Sequence, residues 1–180
     1  MSKKTSFFEK IILFERNLKE SIPEIKTKIP IKVKKATKKD APLFKEIGFG
    51  NDARILTKKK FYSKIESGAK CFFVIHKKKI IGRAWISFSN NEKNLRLLHA
   101  IKKTDGYLSN AYVLKEYRNK GIHQRLLYER LEYLKKIGKK RAITIISKKN
   151  KASIDNISKI GFKPKKEFLS IRILNFSFII

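Results

Sequence analysis

The stretch Asn110-Ala-Tyr-Val-Leu-Lys-Glu-Tyr-Arg-Asn-Lys-Gly-Ile-His-Gln-Arg-Leu-Leu127 leads from an apolar strand through a basic loop into an amphipathic helix. A helix that begins directly after such a loop presents unpaired backbone N–H groups and the positive end of its dipole, and both stabilise an anion. Gly121 allows the backbone to approach a ligand, while Arg118 and Lys120 add positive charge. The spacing fits neither the ATP-binding loop nor the dinucleotide fingerprint. The stretch therefore predicts a phosphate-binding loop of another type.

The segment Arg118-Asn-Lys-Gly121-Ile-His123 resembles the [Gln/Arg]-x-x-Gly-x-[Gly/Ala] signature of the GCN5-related N-acetyltransferases, the GNAT superfamily. Residues 112–117 are similar to the Val-x-Pro-x-Tyr approach of that family, with Lys115 in place of proline. Residues 150–162 are similar to the later family segment Asn-x-x-Ala-x-x-Leu-Tyr-x-Lys-x-Gly-Phe, at the expected distance. Two motifs in order make the resemblance fairly specific.

Hydrophobic periodicity predicts an α/β chain without internal repeats, in the order of elements that the resembled family uses. The predicted elements are a strand at 31–37, a helix that ends at Gly48, a helix at 51–66, strands at 70–76 and 80–88, a polar loop at 89–105, a strand at 107–114, a helix at 122–137 capped by Gly138, a strand at 142–146, a short helix that ends at Gly161, and a strand-like tail at 162–180. The resemblance implies a single-domain GNAT-like fold with a mixed central β-sheet flanked by helices.

Residues 1–29 are predicted to be an N-terminal extension, and residues 30–180 the acyltransferase domain. The family usually closes with two strands separated by a clear turn, but residues 167–178 contain no Gly or Pro. The tail is therefore compatible with one long strand or with a hairpin. If the usual last strand is missing, residues 10–18 can pair in its place, which would explain the extension.

The chain of 180 residues carries 45 Lys and Arg against 15 Asp and Glu, a net charge of +30, yet 42% of its residues are hydrophobic. It is long enough for one domain with a packed core. The charge would attract polyanions and repel polycations, although lysines spread over every segment also fit a merely solvated surface. One cysteine, Cys71, excludes an internal disulfide and indicates a reduced, cytoplasmic setting. Neither a signal peptide nor a membrane span is predicted.

The resemblance implies acetyl-CoA, or another acyl-CoA, as co-substrate. Its pyrophosphate would lie on the backbone amides of residues 118–123, and its pantetheine along Tyr112 and Val113. The cofactor-binding residues implied in this way are Ala111, Tyr112, Val113, Arg118, Asn119, Lys120, Gly121, Ile122, His123, Asn150 and Ser153. No metal is expected, because the three scattered His residues lack the spacing of a metal site.

Both catalytic groups that are common in the resembled family are missing. Many members use a tyrosine on the last helix as the acid, and the matching position is Ile157. The fifth family strand, 142–146, contains no carboxylate to act as a base. Tyr107 and Asn110 on the fourth strand remain as tentative catalytic residues, with proximity and a relaying water as the alternative.

The predicted function is direct transfer of an acetyl or acyl group from acyl-CoA to a primary amine that the sequence does not identify. An anionic acceptor suits a chain of charge +30 better than a polycation does. The alternative function is a catalytically weak or inactive module that keeps this fold and binds RNA, DNA or another polyanion. The oligomeric state stays open.

Overall fold

Eight strands form one mixed sheet in the computed structural model, which describes residues 7–44, 58–88, 101–173 and 176–179. The strands are β1 (Phe7–Asn17), β2 (Lys32–Lys35), β3 (Lys70–His76), β4 (Lys79–Ser87), β5 (Asp105–Val113), β6 (Arg141–Ser147), β7 (Lys163–Ile173) and β8 (Phe176–Ile179). The helices are α1 (Lys58–Glu66), α2 (Ile122–Lys136) and α3 (Lys151–Ser158), with 3-10 turns at Lys38–Phe44 and Lys115–Tyr117. The chain is thus an α/β protein with the predicted order of elements.

The strands follow the order β2-β3-β4-β5-β6-β1-β7-β8 across the sheet. Neighbouring strands are antiparallel except for β5 and β6, which run parallel. A parallel pair needs a crossover connection, and α2 supplies it between β5 and β6. The N-terminus of α2 therefore lies at the end of β5, where the phosphate-binding loop was predicted.

Two hydrophobic layers cover opposite faces of the sheet. Leucines of α2 at helical spacing, including Leu126 and Leu134, pack with Ile81 and Phe14 on one face. The other face carries a layer around Trp85 and Phe61, contributed by β4 and α1. The first layer also contains Leu108 of β5 and Ala142 of β6, so it packs against these two strands close to where they pair.

The N-terminal extension joins the sheet as β1, inserted between β6 and β7. Ile11 to Asn17 pair with β6, and Phe7 to Glu15 pair with β7. The extension thus pairs with the sheet, although the condition on which the prediction rested, a missing last strand, is not met. The tail resolves into a hairpin rather than one strand, because β7 pairs antiparallel with β8 on the outer edge.

A partly buried ion cluster ties β1, β5 and β6 together. Arg141 donates from Nη2 to Asp105 Oδ2 over 2.6 Å and from Nη1 to Glu15 Oε2 over 2.7 Å. Burial by itself would raise the pKa of Asp105, but hydrogen bonds from Arg141 and from the Lys102 amide outweigh it and leave this pKa below the usual 3.8. The inserted strand is thus fixed to the same pair of strands that brackets the candidate site.

Two helix predictions differ from the structure in detail. The segment Lys38–Phe44 is a 3-10 turn rather than an α-helix, with Pro42 inside it, and residues 45–50 lie outside the described chain. Proline removes a donor and clashes with the preceding turn, so it disfavours a longer α-helix there. The second predicted helix is observed as Lys58–Glu66, and residues 51–57 lie outside the described chain. The predicted loop at 89–105 is described only from residue 101.

Candidate functional site

The parallel strands β5 and β6 pair over three positions and then separate. The last pair is Tyr107 with Ile143, and the Thr144 hydroxyl donates to the Leu108 carbonyl over 2.9 Å just beyond it. From there to Val113, β5 has no strand partner on the β6 side within the described chain. The gap leaves backbone groups of β5 available to a ligand.

A bulge in β5 lies at this gap. Trp85 pairs with Ser109 and Arg83 with Tyr112, so Asn110 and Ala111 together face one residue of β4. Asn110 has a φ of +49°, which an asparagine tolerates better than most residues, and its carbonyl accepts from Arg83 Nη1 over 3.3 Å. The bulge redirects the strand at the point where the two cavities described next meet.

The first cavity, here called the cofactor groove, has a volume of 650 Å³ and runs from the β5 edge to α3. Four cations line it: Lys26, Lys28, Arg118 and Lys159. None of its described lining residues is a carboxylate, so the groove favours an anion. The other lining residues are Ala111, Tyr112, Val113, Tyr117, Asn119, Gly121, Ile122, His123, Gln124, Asn150, Ala152, Ser153 and Asn156.

Free backbone amides line the loop of the cofactor groove. The first helical bond of α2 runs from the Arg125 amide to the Gly121 carbonyl over 2.9 Å, and in the described chain the amides of residues 119–124 have no acceptor. The Arg118 amide differs from the prediction, because it donates to the Lys115 carbonyl over 3.2 Å. The free amides of the loop are therefore those of residues 119–124, one residue nearer to α2 than the predicted 118–123.

Gly121 is required for a reason that the sequence did not show. Its φ is +78°, and a Cβ added there would lie 2.9 Å from the Lys26 carbonyl oxygen. The segment between β1 and β2 crosses the loop at this point, where the Lys28 amide donates to the Lys120 carbonyl over 3.1 Å. The glycine thus admits this connecting segment, which brings Lys26 and Lys28 to the groove.

Three predicted cofactor residues have contacts that limit their roles. The Lys120 carbonyl is occupied by Lys28, and the Lys120 side chain is not among those that line the groove. The Asn150 side chain accepts from the Ser153 amide over 3.2 Å and so caps α3. The Asn150 oxygen is therefore already used, although Asn150 and Ser153 line both cavities.

The second cavity, here called the reaction cavity, has a volume of 550 Å³ and occupies the gap between β5 and β6. Its polar lining includes Glu9, Ser109, His123 and Arg130. The Ser109 Oγ and the His123 Nδ1 are buried without a hydrogen-bond partner in the described structure. Unsatisfied buried polar atoms are costly, so their presence in one cavity indicates a place for a polar ligand.

His123 and Arg130 are the titratable residues that α2 contributes to the wall of the reaction cavity. Burial, helped by the positive charge of Arg130, lowers the pKa of His123 to about 4, so His123 is neutral at neutral pH. Burial also lowers the pKa of Arg130 to about 9. Arg130 donates to the carbonyls of Leu126 and Trp85, and no carboxylate in the described chain forms an ion pair with it. It is a fixed positive charge at the cavity.

The two tentative catalytic residues also line the reaction cavity. Tyr107 is 7% exposed and packs in a small cluster with Ile143 and Leu13, as expected of a core residue. Asn110 is exposed and lies in the bulge. Ile157, at the position of the usual tyrosine acid, is 3% exposed and contributes only apolar surface to the cavity.

The model of the GNAT acetyltransferase family matches residues 37–162, which is more than half of the chain. This chain belongs to the GNAT acetyltransferase family. The match includes the predicted loop and both motifs, and the family generally catalyses acyl transfer. Comparison by sequence with proteins of curated function found no match.

Solved structures of other GNAT proteins share the fold. A GCN5-related N-acetyltransferase from Sphaerobacter thermophilus aligns over 92% of this chain and 51% of its own, with a TM-score of 0.67 and 13% identity. The ribosomal-protein-S18-alanine N-acetyltransferase from Escherichia coli aligns over 76% and 80%, with a TM-score of 0.61 and 18% identity. A GNAT-family acetyltransferase from Streptococcus pneumoniae aligns over 76% and 87%, with a TM-score of 0.60 and 20% identity.

The chain spans between 51% and 64% of the length of several solved structures that it resembles. At such identities the likeness shows the GNAT fold. The described residues contain no cluster of three or more potential metal ligands, and none of their helices is long and apolar enough to cross a membrane.

Sequence reasoning missed four residues of this GNAT site. Lys26 and Lys28 lie before the family match, in a segment whose path over the loop has no sequence signature. Glu9 lies on the inserted strand, also outside the match. Arg130 has a signal that could have found it: it follows His123 by seven residues, so both lie on one face of α2.

Proposed function

We propose that this GNAT protein is an acyl-CoA-dependent N-acyltransferase that transfers an acetyl group to a primary amine. The observation that carries the proposal is that the two cavities adjoin. A cationic groove with six free amides shares the lining residues Ala111, His123, Asn150 and Ser153 with a cavity in the gap between β5 and β6. An anionic cofactor and an acceptor would therefore meet from different sides.

The residues of the cofactor groove fit an acyl-CoA. The amides of residues 119–124 and the cations Lys26, Lys28, Arg118 and Lys159 would hold its phosphates. The unpaired side of β5 around Ala111 and Val113 would hold its amide-containing arm through backbone hydrogen bonds. When bound, acyl-CoA supplies the acyl thioester for transfer.

The residues of the reaction cavity would orient the transfer. The Ser109 hydroxyl and His123 Nδ1 offer hydrogen bonds that the described protein does not use. Arg130 adds a fixed positive charge, which stabilises negative charge that develops on a nearby oxygen or sulfur. The overall charge of +30 favours an acceptor that carries anionic groups besides its amine.

The test measures binding and transfer with the full chain and a matched pair of variants. Ser153→Asp places a carboxylate in the groove but near the N-terminus of α3, where the helix dipole favours it, so the variant should fold. We expect calorimetry to show acetyl-CoA binding to the wild type and to Ser153→Ala within a few-fold, and at least about tenfold weaker binding to Ser153→Asp. Mass spectrometry of an amine panel incubated with acetyl-CoA then detects transfer.

Two results would contradict this function. One is a wild-type protein that binds no acetyl-CoA at millimolar concentration. The other is a melting temperature raised by a short oligonucleotide at physiological salt and unchanged by acetyl-CoA, which would favour polyanion binding instead.

A further inference from the structure

Glu9 is the one carboxylate among the described residues that line the reaction cavity. It is partly buried and forms no ion pair in the described chain, whereas neighbouring Glu15 and Glu167 are each paired with cations. In a protein with three times as many basic as acidic residues, an unpaired carboxylate in a cavity is unexpected. It suggests a cationic ligand.

The register of β1 determines where Glu9 lies. Ile11 pairs with Ser147, the last residue of β6, so Glu9 extends two residues beyond the end of that strand. The pairing of Glu9 with Ser170 of β7, together with the hydrogen bond from the Lys148 amide to the Lys10 carbonyl, fixes this end. Glu9 is therefore held by backbone pairing at the open end of the gap.

Glu9 also faces away from α2. Alternate residues of a strand share a face, so Glu9 lies on the face of Leu13. Leu13 packs against Tyr107 and Ile143, whereas Phe14 packs against the layer that contains α2. The cavity thus has Arg130 on its helix side and Glu9 on the opposite side. An acceptor amine that enters opposite the cofactor groove meets Glu9.

We propose that Glu9 binds the ammonium group of the acceptor and acts as the general base of acyl transfer. This rests on the proposed function and supplies the base that β6 lacks. The ammonium nitrogen gives one proton to the Glu9 carboxylate, and its freed lone pair forms a bond with the thioester carbonyl carbon. The carbon–sulfur bond then breaks, and its electron pair leaves on sulfur. A second proton moves from nitrogen to that thiolate, the third stays in the amide, and Glu9 releases its proton to water.

The test compares two probe amines of nearly equal size. Ethylamine is an ammonium ion at pH 7, whereas 2,2,2-trifluoroethylamine is largely neutral because its fluorines withdraw electrons. We expect Glu9→Gln to lower kcat/KM for ethylamine by about 100-fold, as for loss of a general base. The loss should be at most about tenfold for trifluoroethylamine, which needs no initial deprotonation. A merely structural role would lower both rates equally.

Glu167→Gln is the matched control, because it removes the same charge from the neighbouring strand at a residue outside the cavity. It should change neither rate by more than a few-fold. Calorimetry should give equal coenzyme A affinity for Glu9→Gln and wild type, which separates loss of the base from loss of the cofactor site. Equal losses for both amines, or none, would overturn the assignment of Glu9 while the proposed function stands.

If the probe amines react too slowly for kinetics, an NMR titration tests whether Glu9 binds an ammonium ion. With glutamate labelled by ¹³C at the side-chain carboxyl, the Glu9 signal, assigned by its absence in Glu9→Gln, should shift on titration with ethylammonium chloride in the presence of coenzyme A. Equal sodium chloride should leave it unchanged. A Glu9 signal that ignores ethylammonium overturns the inference, and a wild type that binds no coenzyme A overturns the proposed function with it.

Discussion

The cofactor groove and the reaction cavity are built from the chain in different ways. The groove is formed mainly by two continuous segments, 111–124 and 150–159, and its charge has one sign. The reaction cavity draws on β1, β5, α2, β6 and α3 and brings Glu9 and Arg130 to one space from positions far apart in the sequence. A groove of one charge sign can thus be formed by nearly continuous segments, whereas a cavity that joins Glu9 and Arg130 depends on the sheet topology.

If this contrast is correct, loss of the Arg141–Asp105 ion pair, at the start of the paired part of β5 and β6, should affect the reaction cavity more than the groove. Arg141→Met leaves Asp105, which is 1% exposed, without its cationic partner. We expect a loss of about 3 kcal/mol in the free energy of unfolding, at the low end for a broken buried pair because Arg141 is itself 28% exposed. In the folded fraction, acyl transfer should fall more than coenzyme A affinity.

Chemical denaturation measures this loss, with Lys148→Met as the control. Lys148 pairs with Glu167 at the surface, so its removal should cost less than about 1 kcal/mol. Because the folded pKa of Asp105 is lowered, its contribution is present above pH 3.8 and is lost as the pH falls below that value. The difference between wild type and Arg141→Met should therefore shrink in acid. Equal losses of unfolding free energy for the two variants at pH 7 would contradict a stabilising role of the Arg141 ion cluster.

The groove itself can be tested through the connecting segment. Replacing both Lys26 and Lys28 by Gln removes two of its four lining cations. We expect coenzyme A to bind about tenfold more weakly at low salt, or about 1.4 kcal/mol. The difference should decrease at 0.15 M salt, where exposed charges are screened over about 8 Å.

Lys32→Gln combined with Lys34→Gln gives the same change in net charge on β2, away from the groove. Calorimetry should show this control close to wild type. If both double variants weakened binding equally, the general field of the protein rather than the connecting segment would explain the affinity.

The sequence predicted most elements because their signals are local. The β-branched and aromatic residues of β3 and β4, the helical spacing that ends at Gly138, and the loop before α2 can all be recognised from neighbouring residues. Pairing of residues 10–18 with the sheet was expected only if the last strand were missing, whereas β1 joins the sheet although the tail forms two strands. The hairpin of β7 and β8 was left open because no Gly or Pro marks its turn.

The residues of the candidate site could be predicted only where they lie close together in the sequence. All the predicted cofactor residues except Lys120 line the groove, because they lie on the loop, the adjoining strand and the next helix. Glu9, Lys26 and Lys28 were missed because long-range pairing brings them to the site, and no periodicity encodes which strand an extension joins. The Lys120 side chain is not among those that line the groove, although its amide belongs to the free amides of the loop.

His123 lines both cavities, and the pH dependence of stability and of coenzyme A binding tests in which of them its side chain acts. Its pKa is lowered from 6.5 to about 4, so the unfolded chain binds a proton in that window and the folded protein does not. Stability should therefore fall as the pH falls from 6.5 toward 4. The side chain of His123→Asn cannot titrate, so this variant should lack that part of the acid-induced loss of unfolding free energy, which is about 1 kcal/mol at pH 5.5. Denaturation of both proteins at pH 7 and 5.5 measures the difference, and parallel curves would contradict a buried neutral His123.

The same two proteins then separate the groove from the cavity. If His123 faces the phosphates, bound coenzyme A should favour its charged form, and binding to the wild type should strengthen relative to His123→Asn as the pH is lowered to 5.5. If His123 serves only the reaction cavity beside Arg130, the ratio of the two dissociation constants should stay constant with pH. The burial of His123 and the charge of Arg130 both oppose protonation of His123. We therefore expect the affinity of the wild type for coenzyme A, relative to that of His123→Asn, to rise by no more than about threefold on lowering the pH to 5.5. A larger gain would assign the His123 side chain to the phosphate site.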